Sequence, residues 1–167
     1  GEASMNGIEF EGMYMPSEEL TLRLSFGTFD GEYDEYDYNG VDISDKARLL
    51  YAPELTAYFG AEHTSEVAGG VLTLNGGLSF KDDVDTQADW ATWAGGTEVV
   101  IESFESLDLS ATFVKDMGAG TLKLRAYGTD VLEDDNRVSR RYDAGGGFSW
   151  AELAPRRQFG VSVGYEF

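Results

Sequence analysis

The sequence predicts an all-β, antiparallel fold, and three observations carry that prediction. Apolar side chains recur at every second residue in seven separate segments, the signature of a strand with two unlike faces. Glycine and aromatic residues are abundant and proline is scarce (21 Gly, 10 Phe, 9 Tyr and 3 Trp against 3 Pro), which suits pleated strands joined by tight turns. The connections alternate short and long, as in a meander whose tight hairpins all lie at one end. The length of 167 residues predicts a single domain, 1–167.

Each segment justifies itself by its alternation. In "MNGIEFEGMY", Ile8, Phe10 and Tyr14 alternate with Glu9, Glu11 and Met13, and "PSEE" turns the chain. "LTLRLSFGTF" sets Leu20, Leu22, Leu24 and Phe26 against Thr21, Arg23, Ser25 and Gly27. "ARLLYAPELTAYFGAE" sets Leu49, Tyr51, Leu55, Ala57 and Phe59 against Arg48, Glu54, Thr56 and Gly60; Pro53, which lacks a donor, implies an edge or irregular position. "TSEVAGG" is a second turn, and "VLTLNGGLSF" follows with Leu72, Leu74, Leu78 and Phe80 on one side. "SLDLSATFV" and "TLKLRAYG" flank the third turn, "KDMGAG". The last segment, "RRQFGVSVGYEF", alternates Phe159, Val161, Val163, Tyr165 and Phe167 with Gln158, Gly160, Ser162, Gly164 and Glu166.

Charge and hydropathy exclude several classes. The net charge of -19, with 12 Lys+Arg scattered along the chain, lacks the basic stripe that a phosphate backbone requires, so no nucleic-acid partner is expected. The mean hydropathy is -0.30, and no stretch approaches the roughly 18 apolar residues of a spanning helix. The absence of cysteine removes disulfides and thiolate metal sites. "GEASMNG" has no signal-peptide pattern, so a mature N-terminus is expected. Sixteen of the 31 acids lie in three windows (30–45, 82–89 and 130–143) that coincide with the long connections.

Short turns on one side, long acidic loops on the other, and aromatics near strand ends (Tyr14, Phe26, Phe80, Phe104, Phe113, Phe159, Phe167) fit a transmembrane β-barrel better than a soluble one. Alternation alone does not separate the two, and a soluble ligand-binding barrel stays the alternative.

Several motifs taken together resemble the C-terminal barrel strands of TonB-dependent outer-membrane receptors: "GIEFEG" before a proline turn, "YAPELTAYFGAE", "SLDLSATF" before a glycine turn, and "APRRQFGVSVGYEF" at the end. The resemblance implies the outer membrane of a Gram-negative bacterium, with lipid and lipopolysaccharide around the barrel and the acidic loops outside the cell. It also implies that barrel assembly machinery reads Val163, Tyr165 and Phe167 as an insertion signal. The chain departs from the family in lacking a plug domain and most of about 22 strands, and its penultimate strand has "AYGTDVLE" where the family commonly carries an Asn-Leu element. Active uptake is therefore not carried over.

The length suits a small barrel of about eight strands, of which seven are clear, with the eighth expected in "DTQADWATWA" or at the N-terminus; a seven-stranded closure or a barrel shared between chains are the alternatives. Its lumen is expected to be filled by side chains and ion-paired through Glu9, Glu11, Arg23, Arg48, Glu54, Asp108, Lys123, Arg125 and Glu166. The expected role is structural or surface recognition; a fragment of a full receptor for ligand uptake is the alternative. No catalytic, cofactor or metal residues are assigned and no enzyme is expected: His63 reads as a solvated turn residue. "DGEYDEYDYNGVD" lacks the ligand spacing of an EF-hand and reads as a solvated loop. Trp90 and Trp93 read as interfacial anchors.

Overall fold

The structure, a computed structural model, describes residues 1–86, 100–132, 138–143 and 149–167. Seven long strands form one antiparallel sheet: β1 (Glu2–Tyr14), β2 (Leu20–Glu35), β5 (Leu55–Val67), β6 (Gly70–Lys81), β9 (Phe104–Asp116), β10 (Thr121–Thr129) and β13 (Gln158–Glu166). Three two-stranded ribbons lie in the long connections: β3 (Asp37–Tyr38) with β4 (Val41–Asp42), β7 (Val84–Asp85) with β8 (Val100–Ile101), and β11 (Val138–Asp143) with β12 (Ser149–Leu153). Each long strand pairs with the next long strand in the chain, so the sheet is a pure meander.

The meander leaves the sheet open. β1 and β13 are its edges and do not pair with each other. The expected eighth strand has no room in the second long connection, because β6 and β9 are hydrogen-bonded to each other directly along eleven residue pairs. Most of "DTQADWATWA" lies outside the described residues, as do Trp90 and Trp93. At the other expected place, the N-terminus, the chain from Glu2 onward already belongs to β1.

Three boundaries differ from the sequence reading, each for a local reason. β5 begins at Leu55; residues 47–54 form turns and irregular chain, and Tyr51 there has a φ of 55°, incompatible with a strand. The second turn shrinks to Ala68 and Gly69, with φ of 51° and 73°, because a two-residue turn with both φ positive matches the twist of the flanking strands and lets β5 run on to Val67. β2 continues six residues past Phe29, to Glu35, inside the first acidic window.

Close backbone approach explains part of the glycine content. The Tyr58 ring lies flat along the sheet, and a Cβ built on Gly77 would sit 2.9 Å from its hydroxyl oxygen. Tyr127 lies over Gly160 in the same way, with a built Cβ 2.5 Å from the ring. Glycine leaves a seat for a cross-strand aromatic that no other residue provides. Gly160→Val is expected to cost about 1–3 kcal/mol by overpacking this seat. Adding Tyr127→Ala should recover part of the loss, and denaturant unfolding of the single and double variants measures it.

Candidate functional site

The register decides which side chains share a face, and the alternation survives across all seven strands. Phe10, Phe26, Ala57 and Phe80 stand in one cross-strand row, with the Phe10 and Phe26 rings 5.5 Å apart. The same face carries Leu107, Leu109, Ala111 and Phe113 on β9, Leu122, Leu124 and Ala126 on β10, and Phe159, Val161, Val163 and Tyr165 on β13. Among the described residues no other element covers it: Val161 is 83% exposed and Val163 75%. Among the described residues the buried apolar side chains are Ile43, Ala47, Val84 and Ile101, all in the long connections and none on the sheet.

The apolar band runs obliquely to the strands. One hydrogen-bonded row passes through Phe159, Gly128, Leu109, Gly76, Ala61, Leu22 and Tyr14. It leaves the band's loop-side border at Phe159 on β13 and reaches the turn-side border at Tyr14 on β1. Across six strand steps the band therefore shifts by the full Phe159-to-Tyr165 run, about one residue per strand.

The opposite face is more polar and carries many small residues (Ser25, Gly27, Thr56, Gly60, Asn75, Gly77, Ser79, Ser110, Thr112, Gly160, Ser162 and Gly164) beside larger ones such as Met13, Tyr58, Val71, Val114 and Tyr127. Of the nine residues expected in the lumen, Glu9, Glu11, Arg23, Asp108, Lys123, Arg125 and Glu166 lie on this face. Glu11 is diagonal to Arg23 across β1 and β2, and Glu166 is diagonal to Lys123 across β10 and β13, positions from which long side chains can meet. Arg125 lies over the Tyr127 ring at 5.1 Å. A hollow of about 230 Å³ opens between Tyr58 and Tyr127, bordered by Arg23, Asn75 and Arg125.

Two of the nine fall elsewhere. Arg48 lies in the irregular stretch before β5, off the sheet; Pro53 and the turn at Tyr51 ended the alternation that placed it there. Glu54 stands at the bend before Leu55, where its carbonyl accepts from Phe29 N–H at 2.9 Å. Asp108 has a role that spacing did not reveal. Its Oδ1 accepts from the Asp130 N–H at 2.8 Å, anchoring the start of the third long connection, where Asp130 has a φ of 53°.

The terminal residues Val163 and Tyr165 sit on the edge strand β13, which pairs with β10, with Phe167 beyond its end and the Tyr165 and Phe167 rings 6.2 Å apart. β13 ends on the side of the short turns. His63 is on the apolar face of β5 near the short turns, opposite Leu20 and Leu74, rather than in a turn.

The long connections at the other end are knit together. Tyr51 N–H donates to the Asp85 carbonyl at 2.9 Å, joining the first connection to the second beside Val84. In the first acidic window the carboxylates serve the backbone: Asp37 accepts from Gly40 N–H at 2.9 Å across an Asn39–Gly40 turn. Asp42 Oδ1 accepts from Ser44 N–H at 3.0 Å and Tyr36 N–H at 3.2 Å. Among the described residues no three His, Asp or Glu side chains converge as metal ligands would.

The Ser44 and Tyr36 amides, then the Ser44 hydroxyl, hold the Asp42 carboxyl below its ordinary pKa. Glu19, in the first short turn, is lowered by the Ser17 hydroxyl and its own N–H, with a smaller pull from His63. A depressed folded pKa contributes stability that is present above the unfolded value and lost as pH falls through the folded one. The protection of the Tyr36 and Ser44 amides, measured against the intrinsic exchange rate at each pH, is therefore expected to fall below about pH 4, the ordinary carboxylate range. In Asp42→Ala that protection should be low at every pH.

Neither a family model nor a curated protein matches this chain. Among solved structures, the crystal structure of BauA, the ferric preacinetobactin receptor from Acinetobacter baumannii, is similar to it. The TM-score is 0.70 at 21% sequence identity, over 99% of this chain and 22% of the receptor chain. The chain thus spans about a fifth of that receptor. The likeness establishes a shared β-architecture and agrees with the sequence resemblance to TonB-dependent receptors.

Proposed function

We propose that the seven-stranded sheet is transmembrane wall of a Gram-negative outer-membrane β-barrel, with its apolar face towards lipid and its short turns at the periplasmic rim. The oblique apolar band carries this reading. If the band lies level in a bilayer, the row from Phe159 to Tyr14 drops six residues of about 3.3 Å over six strand spacings of about 4.8 Å, which tilts the strands by about 35°. That angle is the strand tilt of outer-membrane barrels. At this tilt, Glu105 and Lys115, which bracket the apolar run of β9, lie about 27 Å apart along the membrane normal, near the height of an outer-membrane apolar band.

The small residues of the polar face favour a sector of a wide barrel over an eight-stranded one. An eight-stranded lumen is filled by its own side chains, and this face, beside Tyr58, Tyr127 and its charged residues, is about half Gly, Ser and Thr. The neighbouring opposite charges, Glu11 with Arg23 and Lys123 with Glu166, then belong to the wall itself. On this reading Val163, Tyr165 and Phe167 address the assembly machinery, and the acidic connections give a surface-recognition role outside the cell. A second reading, a sector of a ligand-uptake receptor, is favoured by the 99% coverage of this chain by BauA.

The decisive comparison places one charge on either face of a central strand. Leu109→Arg, at mid-height on the apolar face, is expected to cost about 2–4 kcal/mol in a bilayer. Ser110→Arg, its neighbour on the polar face, should cost little. Both are read by urea unfolding in vesicles and by the shift in gel migration on boiling. Equal tolerance of the two would sink the proposal, since Leu109 is exposed in the sheet and harmless to charge in water.

A further inference from the structure

The borders of the apolar face are not alike in charge. Resting on the wall reading above, we propose that Lys115 and the adjacent Ala68–Gly69 turn bind the phosphate of an anionic phospholipid headgroup in the leaflet at the short-turn rim. Lys115 stands one alternation beyond Phe113 on the apolar face of β9, in the cross-strand row of Leu122 and Tyr165. Its ammonium donates to the Ala68 carbonyl at 2.7 Å, which fixes it above the turn and leaves two N–H donors for an outside acceptor.

The turn adds to the site. The β5–β6 ladder closes at Val67 and Gly70, so the amides of Ala68 and Gly69 stand outside it. At Gly69 the approach is bare; a Cβ there would be 3.8 Å from the Lys115 Nζ. Glu66 and Asp116, the carboxylates nearest in sequence, belong to the polar face, and Asp116 accepts from Gly118 N–H at 2.7 Å. The opposite border is mixed, with Glu105 on β9 and Arg157 against the Phe159 ring at 5.8 Å. A phosphate is therefore attracted locally beside Lys115, away from Glu18 and Glu19 of the first short turn, at the depth where an interfacial Lys and aromatics such as Tyr165 meet headgroups.

The test uses the protein in its native barrel, purified from outer membranes and placed in phosphatidylcholine vesicles with spin-labelled phosphatidylglycerol or phosphatidylcholine. The motionally restricted lipid is expected to favour phosphatidylglycerol about fivefold at this site. Because the chain has no cysteine, Lys115→Cys can be inserted and then modified in place. An ethylammonium thiosulfonate, which restores the positive charge, should restore the preference, and a methyl thiosulfonate should not. Equal preference after both treatments overturns the proposal. Restricted lipid without headgroup selectivity removes this inference alone, whereas no restricted lipid at all removes the wall reading.

Discussion

The backbone ladder is the constraint on which everything else depends. In most domains of this size a packed interior holds the elements and hydrogen bonds add specificity. Here the sheet has no second layer among the described residues, and the four buried apolar side chains belong to the connections. Hydrogen bonds between successive strands, in register over eight to twelve residues and shifted only between Glu2 and Ala3 at the start of β1, carry the architecture. Such a ladder is weak in water, where each amide trades one partner for another. In hydrocarbon, an unmade bond costs several kcal/mol, so the same ladder becomes compulsory. The proposed environment and the absent core explain each other.

The connections follow a different rule because they end in water. There, Ile43, Ala47, Val84 and Ile101 make a small core, while Asp37 and Asp42 hold turns by accepting from amides. A net charge of -19 is therefore not spread evenly over the protein's tasks. Part of it solvates the connections, part of it builds them, and Asp108 reaches from the sheet to fasten one of them through Asp130. The tie from Tyr51 to Asp85 couples the first two connections, so a change in one is felt in the other.

Period-two alternation made all seven strands legible, as well as which residues share a face, since that depends only on parity. What the sequence concealed is whatever depends on register. The seat of Tyr58 over Gly77 joins residues on neighbouring strands, and nothing in either segment alone marks it. The oblique band needs six pairings before it can be seen. Arg48 was misplaced because alternation continued by chance through "RLLYAP", across a turn that Tyr51 makes with a positive φ. Ala68 hid the two-residue turn, since alanine is an uncommon choice there and costs about 1–2 kcal/mol in the left-handed region. The expected eighth strand came from chain length and from strand parity, and neither sees that β6 and β9 are already joined.

Strand parity limits how such a wall can close. Seven antiparallel strands in sequence leave β1 and β13 pointing the same way. Joining those edges to each other would require a parallel pair. A second copy inserted in the same orientation does not help, because its β1 also points the same way as the first copy's β13. Inverting the second copy would place its acidic connections at the opposite membrane surface. Antiparallel closure on the proposed reading therefore takes an odd number of further strands between β13 and β1, each alternating apolar and polar residues as these seven do. The tilt sets a second condition: added strands must continue a shift of about one residue per strand, or the apolar band will not meet itself around the barrel.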